Sequence, residues 1–216
     1  MPIKPFVGIG TGRCGTKSLA ILVDACKHTD VRHEHFLTSW YDPEESVIQD
    51  MIAFLQGDDE LRGLVSLSYL PLVDRLRKEI PDLKVIHMTR DREKVVESFM
   101  QAHRKISRLL YSTRELAEKD ANRQTELHKW LHPLAGSWTI FPEFSCNTDT
   151  DIYITTEESY QMYWDFYINE VTKLDNVFTF PMEGLNSNVE LDRLFVYLEI
   201  PEEDQVFLDT RQYNYG

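Results

Sequence analysis

Short apolar runs and segments with helical spacing alternate along the chain. The first apolar run, Phe6–Gly10, is followed by a glycine-rich turn and then by a helical pattern over residues 17–26. Similar apolar runs occur at residues 64–70, 83–89 and 176–180. Near-continuous apolar runs of this length are typical of strands that are covered on both faces. The pattern therefore predicts four buried strands.

Helical patterns lie between and after these runs. They are predicted at residues 71–80, from Arg92 onwards behind the capping residue Asp91, and at residues 188–199. Strands that alternate with helices imply a parallel sheet with right-handed crossovers. The predicted fold is therefore α/β: a P-loop-like, doubly wound parallel sheet of four to five strands that is flanked by helices.

One stretch of the chain breaks this alternation. From about residue 107 to residue 155, a polar helical segment leads into a region with several aromatic residues and prolines. We expect an aromatic-rich insert that contacts substrate or a neighbouring subunit, and irregular packing on the core is an equally good interpretation. Because no repeat or Gly/Ser linker interrupts the chain, a single domain over residues 1–216 is predicted.

Composition narrows the class of protein. Of the 216 residues, 42% are hydrophobic and 27% are charged, which is typical of globular proteins. The N-terminal segment lacks the pattern of a signal peptide, and no apolar run is long enough to span a membrane. The cysteines Cys14, Cys26 and Cys146 are too dispersed for a disulfide framework or a zinc site. We therefore expect a cytoplasmic protein with no membrane partner.

The charge balance bears on the choice of ligand. There are 23 Lys and Arg residues against 36 Asp and Glu, and the formal net charge is −13. Non-specific binding to nucleic acid depends on a basic surface, so we expect no nucleic-acid partner. A small anion needs only a local group of N–H donors and cations, which the overall charge does not prevent.

The turn after the first predicted strand has the composition of an anion-binding loop. Its glycines allow a tight turn, and successive N–H groups with the start of the next helix form a nest for an anion. The turn departs from the nucleotide-triphosphate motif GxxxxGK[ST], because Thr16 intervenes between Gly15 and Lys17. The candidate binding residues here are Gly12, Arg13, Cys14, Gly15, Thr16, Lys17 and Ser18.

A second candidate pair follows the strand at residues 83–89. Arg90 comes at the carboxyl end of this strand, and Ser98 follows eight residues later in the predicted helix. Ligands of open α/β sheets bind at the carboxyl ends of the strands. We therefore expect Arg90 and Ser98 to contribute to the same site as the turn.

On these residues the chain resembles the sulfotransferase family, whose enzymes transfer a sulfuryl group from 3′-phosphoadenosine 5′-phosphosulfate (PAPS). The turn at Arg13–Ser18 resembles the family's 5′-phosphosulfate loop, and the pair Arg90 and Ser98 resembles its 3′-phosphate site. Residues 177–185 and 194–200 are similar to its late strand and closing helix. The resemblance covers most of the chain outside residues 107–155.

The resemblance implies an enzyme that uses PAPS as co-substrate, releases adenosine 3′,5′-bisphosphate and needs no metal. The acceptor would be the hydroxyl or amine of a small molecule or glycan. Ser18 stands where many cytosolic members carry an adenine-stacking tryptophan, and their late Arg-Lys-Gly segment is absent. The chain is therefore more similar to bacterial and polysaccharide-modifying members.

Sulfuryl transfer needs a base that takes the proton of the acceptor. In family members with a glutamate base, that residue follows the first helix, and the resemblance places Glu34 there. His33 and His35 are alternatives because imidazole titrates near neutral pH. Tyr69 corresponds to the histidine base of cytosolic members, but with an ordinary pKa near 10 it is better suited to contact the acceptor.

Two other functions share these features. A P-loop kinase or other NTPase would also place an anion loop after the first strand, but the displaced lysine and the lack of a clear strand ending in Asp disfavour it. A non-catalytic nucleotide-binding module is the third possibility. Tyr160, Tyr163, Trp164 and Tyr167 recur at helical spacing and predict a packed face of a helix.

Overall fold

The computed structural model describes residues 4–36, 43–57, 60–102 and 156–208. The chain divides into two compact units, one made of Met1–Arg90 with Tyr167–Gly216 and the other of Asp91–Phe166. The predicted insert at residues 107–155 lies outside the described residues, so its role stays a prediction. The same holds for the single domain predicted over the whole chain.

Within its described residues, the first unit contains one five-stranded sheet. The strands are β1 (Phe6–Gly10), β2 (Thr29–His33), β3 (Leu61–Val65), β4 (Lys84–Thr89) and β5 (Val177–Pro181). Their spatial order is β2-β3-β1-β4-β5, and every neighbouring pair is parallel. This arrangement confirms the predicted α/β class with a parallel sheet.

Helices follow most of the strands. They are α1 (Thr16–Asp24), α2 (Glu45–Leu55), α3 (Val73–Glu79), α4 (described over residues 92–102), α5 (Thr156–Val171) and α6 (Asn188–Leu198). The boundary between the two units falls inside α5, between Phe166 and Tyr167.

Apolar side chains bury both faces of the sheet. On one face, Ile86 and Met88 of β4 join a core with Leu19 and Leu22 of α1 and Leu194 of α6. Side chains alternate along a strand, so His87 of β4 points to the other face. There its ring stacks on Tyr167 of α5, with 6.5 Å between the ring centroids. Helices on both faces are consistent with a doubly wound arrangement.

Strand β2 is an edge strand that the sequence pattern does not reveal. Only Val31 is buried among its five residues, and the others are partly exposed and polar. The strand nevertheless pairs with β3 along its full length, with His33 opposite Val65. An edge strand needs little apolar content because solvent reaches one side of it. The segment after the first helix, which contains the candidate bases His33, Glu34 and His35, is therefore a strand up to His33.

The strand expected at residues 64–70 is wrong in its boundaries. Strand β3 occupies Leu61–Val65, and a 3₁₀ helix follows at Leu67–Leu72. The Ser66 hydroxyl accepts a hydrogen bond from the Ser68 N–H over 3.2 Å, which caps the 3₁₀ helix. Because the 3₁₀ helix extends to Leu72, the helix expected at residues 71–80 begins later, at Val73, and ends at Glu79.

The strand register brings the candidate segments to one edge of the sheet. Gly10, the last residue of β1, pairs with Met88 near the end of β4, and His33 ends β2 opposite Val65 at the end of β3. The chain leaves β1 towards β2 on one side of it, and the connection from β3 later passes β1 to reach β4 on the other side, so the direction of the connections reverses beside β1. In open α/β sheets, a ligand crevice forms at such a switch point.

The second unit contains α4 and the first part of α5. Asp91 caps α4 as predicted, since its Oδ1 accepts a hydrogen bond from the Lys94 N–H over 3.1 Å. Arg92 binds Asp165 with two hydrogen bonds of 2.9 and 2.7 Å. In the described ranges, no helix has the length and apolar character needed to cross a membrane.

Candidate functional site

The turn between β1 and α1 has the backbone of an anion nest. Gly12, Arg13 and Gly15 have φ values of 76°, 55° and 89°. The positive φ of Gly15 lies directly before α1, and Gly15, the N-cap residue, has no side chain that could cap this helix start. The first N–H groups of a helix have no partner within the helix, so they attract an anion together with the turn.

Close packing under the turn explains two of its small residues. A Cβ atom on Gly10 would lie 2.5 Å from the sulfur of Cys14 and 2.9 Å from the Met88 carbonyl oxygen. Cys14 itself is fully buried, and burial raises the pKa of its thiol to about 11. Its side chain therefore belongs to the core, and it can contribute to the predicted site only through its backbone.

The other predicted residues of the turn point in different directions. The side chains of Thr16 and Ser18 are buried, whereas Lys17 is exposed on α1. The Thr16 hydroxyl shares a hydrogen bond with Nε2 of His33 over 3.3 Å. The first residue of α1 therefore contacts the last residue of β2.

Arg90, a predicted site residue, contacts the turn. Its guanidinium donates a hydrogen bond from NH1 to the Arg13 carbonyl oxygen over 2.8 Å. The Nε of Arg90 is buried and has no hydrogen-bond partner among the residues that the structure describes. A buried donor without a partner is costly, so a ligand atom that accepts this hydrogen bond would be stabilised.

Ser98, the predicted partner of Arg90, lies on α4 in the second unit. Its assignment to the 3′-phosphate stays a prediction from the family resemblance.

Glu34 and His33 are in contact at the end of β2. Glu34 has a positive φ of 50°, and its N–H donates to the Val65 carbonyl oxygen over 3.0 Å. This conformation brings Oε1 of Glu34 to 3.9 Å from Nε2 of His33. Burial lowers the pKa of His33, the Glu34 carboxylate raises it, and the Lys17 ammonium lowers it, with a net downward shift. His33 is therefore neutral at pH 7 and able to accept a proton.

The remaining candidate bases are placed differently. His35 is exposed, and its Nε2 lies 3.2 Å from NH1 of Arg32. The hydrogen bond to Thr16 of the turn is made by His33. The buried Tyr69 hydroxyl accepts a hydrogen bond from the Phe36 N–H over 3.2 Å. Burial raises the pKa of Tyr69 to about 12, so it is unsuited to accept a proton. Tyr69 instead anchors the segment that follows Glu34.

Sequence reasoning missed the residue that holds the start of the turn. The Tyr167 hydroxyl accepts a hydrogen bond from the Gly10 N–H over 2.9 Å and donates one to the Leu67 carbonyl oxygen over 3.2 Å. Helical spacing indicated only that Tyr167 belongs to a packed face, and its complete burial agrees with that. No local pattern could reveal a contact between residues so distant in the sequence.

Comparison of the chain with protein-family models gives no match, and comparison with curated proteins gives none. Within the described part of the chain, no group of three His, Cys, Asp or Glu side chains is placed to hold a metal ion.

Proposed function

We propose that the protein is a sulfotransferase that uses PAPS and acts on a hydroxyl or amine of a small molecule or glycan. One observation carries this proposal: Arg90, after β4, is hydrogen-bonded to the positive-φ turn after β1. Two features that the sequence relates to the two phosphate groups of one nucleotide thus lie together at the switch point of the sheet. The buried, unpartnered Nε of Arg90 fits a ligand that bears phosphate groups.

The residues of the turn would bind and orient the 5′ end of the nucleotide. The N–H groups from Gly12 to Ser18 and the cationic side chain of Arg13 would stabilise charge that develops on the bridging oxygen. Arg90 would bind the 3′-phosphate. The bound nucleotide supplies an activated sulfuryl group, whose bond to the 5′-phosphate oxygen breaks as a bond forms to the acceptor.

Glu34 is the proposed base, and it would take the proton of the acceptor oxygen or nitrogen as that atom attacks sulfur. The neighbouring His33 is the alternative, because burial and Lys17 keep it neutral at pH 7. His35 comes next, although it lies beside Arg32. The products would be the sulfated acceptor and adenosine 3′,5′-bisphosphate.

Thermal unfolding with two nucleotides tests this proposal. Adenosine 3′,5′-bisphosphate at about 100 times its Kd should stabilise the fold by roughly 2.7 kcal/mol. Adenosine 5′-monophosphate, which lacks the 3′-phosphate, is the matched control and should stabilise it less. A shift with ATP and Mg²⁺ but none with the bisphosphate would contradict the proposal and favour a kinase or other NTPase. Binding of the bisphosphate without turnover of any acceptor would favour a non-catalytic module.

A further inference from the structure

A single hydroxyl group connects the turn to a titratable side chain. Thr16 is the first residue of α1 and directly follows Gly15 of the turn. Its Oγ1 lies 3.3 Å from Nε2 of His33, which ends β2. The same Nε2 lies 3.9 Å from Oε1 of Glu34. One nitrogen of the imidazole therefore lies near both the start of the helix and a carboxylate.

The groups around His33 are of mixed charge. From α1, the Lys17 ammonium opposes a proton on the imidazole, and from the end of β2, the Glu34 carboxylate favours it. Strand β3 places the apolar Val65 opposite His33. The Tyr69 hydroxyl after β3 interacts with Glu34 and stays protonated at neutral pH, because its pKa is about 12. Arg32, the preceding charged residue of β2, is held by two hydrogen bonds to Asp30.

We propose that an anion on the turn and a proton on His33 bind cooperatively, and that Thr16 is the positioning residue through which they interact. The inference rests on the proposed function, since the anion would be the 5′-phosphate of the nucleotide. This cooperativity would make His33 a residue that selects for the dianionic 5′-phosphate of the product. His33 also remains one of the candidate bases.

The electrostatic part of the argument concerns Lys17. A dianion beside the start of α1 offsets the Lys17 ammonium, which is one of the two causes that keep His33 neutral. The bound anion therefore favours the imidazolium form. Because binding linkage is reciprocal, a proton on His33 strengthens anion binding by the same factor.

The hydrogen-bond part of the argument concerns the direction of the Thr16 hydroxyl. An imidazolium carries a proton on both ring nitrogens, so Nε2 of protonated His33 is a donor and no longer accepts a hydrogen bond from Thr16 Oγ1. The hydroxyl proton of Thr16 is then directed away from the ring and can be donated to an anion on the turn. When the neutral ring carries its proton on Nδ1 and accepts from Thr16, a solvent proton taken up by His33 thus adds one donor to the site.

The test is calorimetric titration of adenosine 3′,5′-bisphosphate from about pH 5 to pH 8.5, a range that brackets the ordinary pKa of histidine. The phosphate groups of the ligand titrate near pH 6 themselves, so the measured quantity is the difference between the wild-type protein and His33→Gln. His35→Gln is the matched control, since it removes a neighbouring imidazole that does not share the Thr16 hydrogen bond. Thr16→Ser keeps the hydroxyl, and Thr16→Val removes it.

We expect the wild type to gain affinity over His33→Gln as the pH falls, by a factor within the usual range of about 5 to 150 for coupled sites. His35→Gln and Thr16→Ser should retain this gain, and Thr16→Val should lose it. Repeating the wild-type titration in buffers of different ionisation enthalpy should show proton uptake on binding. An NMR titration of the His33 ring in the wild type should show a higher pKa with the nucleotide bound.

Two results would overturn the inference, and they differ in what they say about the function. If the bisphosphate binds but His33→Gln follows the wild-type pH profile and the His33 pKa does not rise, the cooperativity is wrong and the nucleotide site stands. If neither the wild type nor any variant binds the bisphosphate, the inference and the proposed function both fail.

Discussion

The Tyr167 hydroxyl lies 2.9 Å from the backbone nitrogen of Gly10 and accepts its hydrogen bond at the point where β1 ends and the turn begins. The same hydroxyl donates to the Leu67 carbonyl oxygen of the 3₁₀ helix after β3. Tyr167 is fully buried, and burial holds the pKa of its phenol well above the ordinary value. One neutral hydroxyl thus connects two segments at the carboxyl edge of the sheet.

Tyr167→Phe should lower the free energy of unfolding by about 1–3 kcal/mol, because the buried Gly10 N–H and Leu67 carbonyl lose their partner. It should also weaken binding of the bisphosphate, because the start of the turn is no longer held. Tyr197→Phe is the matched control: that hydroxyl also bridges backbone groups, the N–H and carbonyl of Val85 in β4. Urea denaturation should show a loss in both variants, whereas only Tyr167→Phe should lose affinity. Equal affinities would mean that Tyr167 is purely structural.

Arg90→Ala should cost roughly 1.5–3 kcal/mol of bisphosphate affinity, because a charge-assisted contact to the 3′-phosphate is removed. Arg77→Ala is the matched control, since Arg77 also donates to backbone carbonyl groups, those of Asp175 and Asn176. Calorimetry should show a larger loss for the bisphosphate than for adenosine 5′-monophosphate. Equal losses for the two ligands would show that Arg90 acts on the turn alone, through its hydrogen bond to Arg13.

Glu34→Gln should reduce turnover by about 10²–10⁴-fold and leave nucleotide affinity nearly unchanged. The amide keeps the size of the carboxylate but cannot take the proton of the acceptor, and the phosphate groups are held by other residues. The measurement needs an acceptor, which a screen of hydroxylated and amino compounds with labelled donor would supply. A Gln variant with the wild-type rate would move the role of base to His33 and then to His35.

The buried His87 predicts a loss of stability in acid. Burial lowers its pKa from the ordinary 6.5 to about 4, and its Nε2 has no hydrogen-bond partner within the described ranges. Between these pH values the unfolded chain binds a proton that the folded protein does not bind. The folded protein therefore keeps its full free energy of unfolding above about pH 6.5. As the pH falls towards 4, this free energy decreases by an amount on the order of 3 kcal/mol.

Urea denaturation of the wild type and His87→Leu across this pH range measures that contribution. The leucine variant should lose less stability than the wild type as the pH falls, and the exposed His35→Gln should follow the wild type. Parallel curves for His87→Leu and the wild type would contradict the assigned pKa.

The sequence predicts the elements that contain apolar runs, including the edge strand β5, in which only Phe180 is fully buried. Strands β1, β4 and β5 and the last helix α6 are where their apolar runs indicate, with shifts of at most one residue at their ends. Strand β2 is not predicted because its one buried residue, Val31, produces no apolar pattern. Helix α2 was not predicted either, although its apolar positions have helical spacing.

Some residues of the candidate site can be predicted from the sequence, and others cannot. The turn and Arg90 can be predicted because each immediately follows a buried strand, and parallel strands align their carboxyl ends. The contact between Thr16 and His33 depends on the position of β2, which the sequence does not reveal. The contact between Tyr167 and Gly10 joins residues that are 157 positions apart in the sequence. A short motif cannot indicate a contact between residues so far apart.

The burial of Cys14 under the turn has a kinetic consequence. A thiol reagent attacks the thiolate, and a fully buried thiol with a pKa of about 11 offers neither access nor charge at neutral pH. The reagent can modify Cys14 only in molecules whose turn has opened away from the sheet. The labelling rate of this one sulfur atom, compared with and without nucleotide, therefore reports how often the phosphate turn opens.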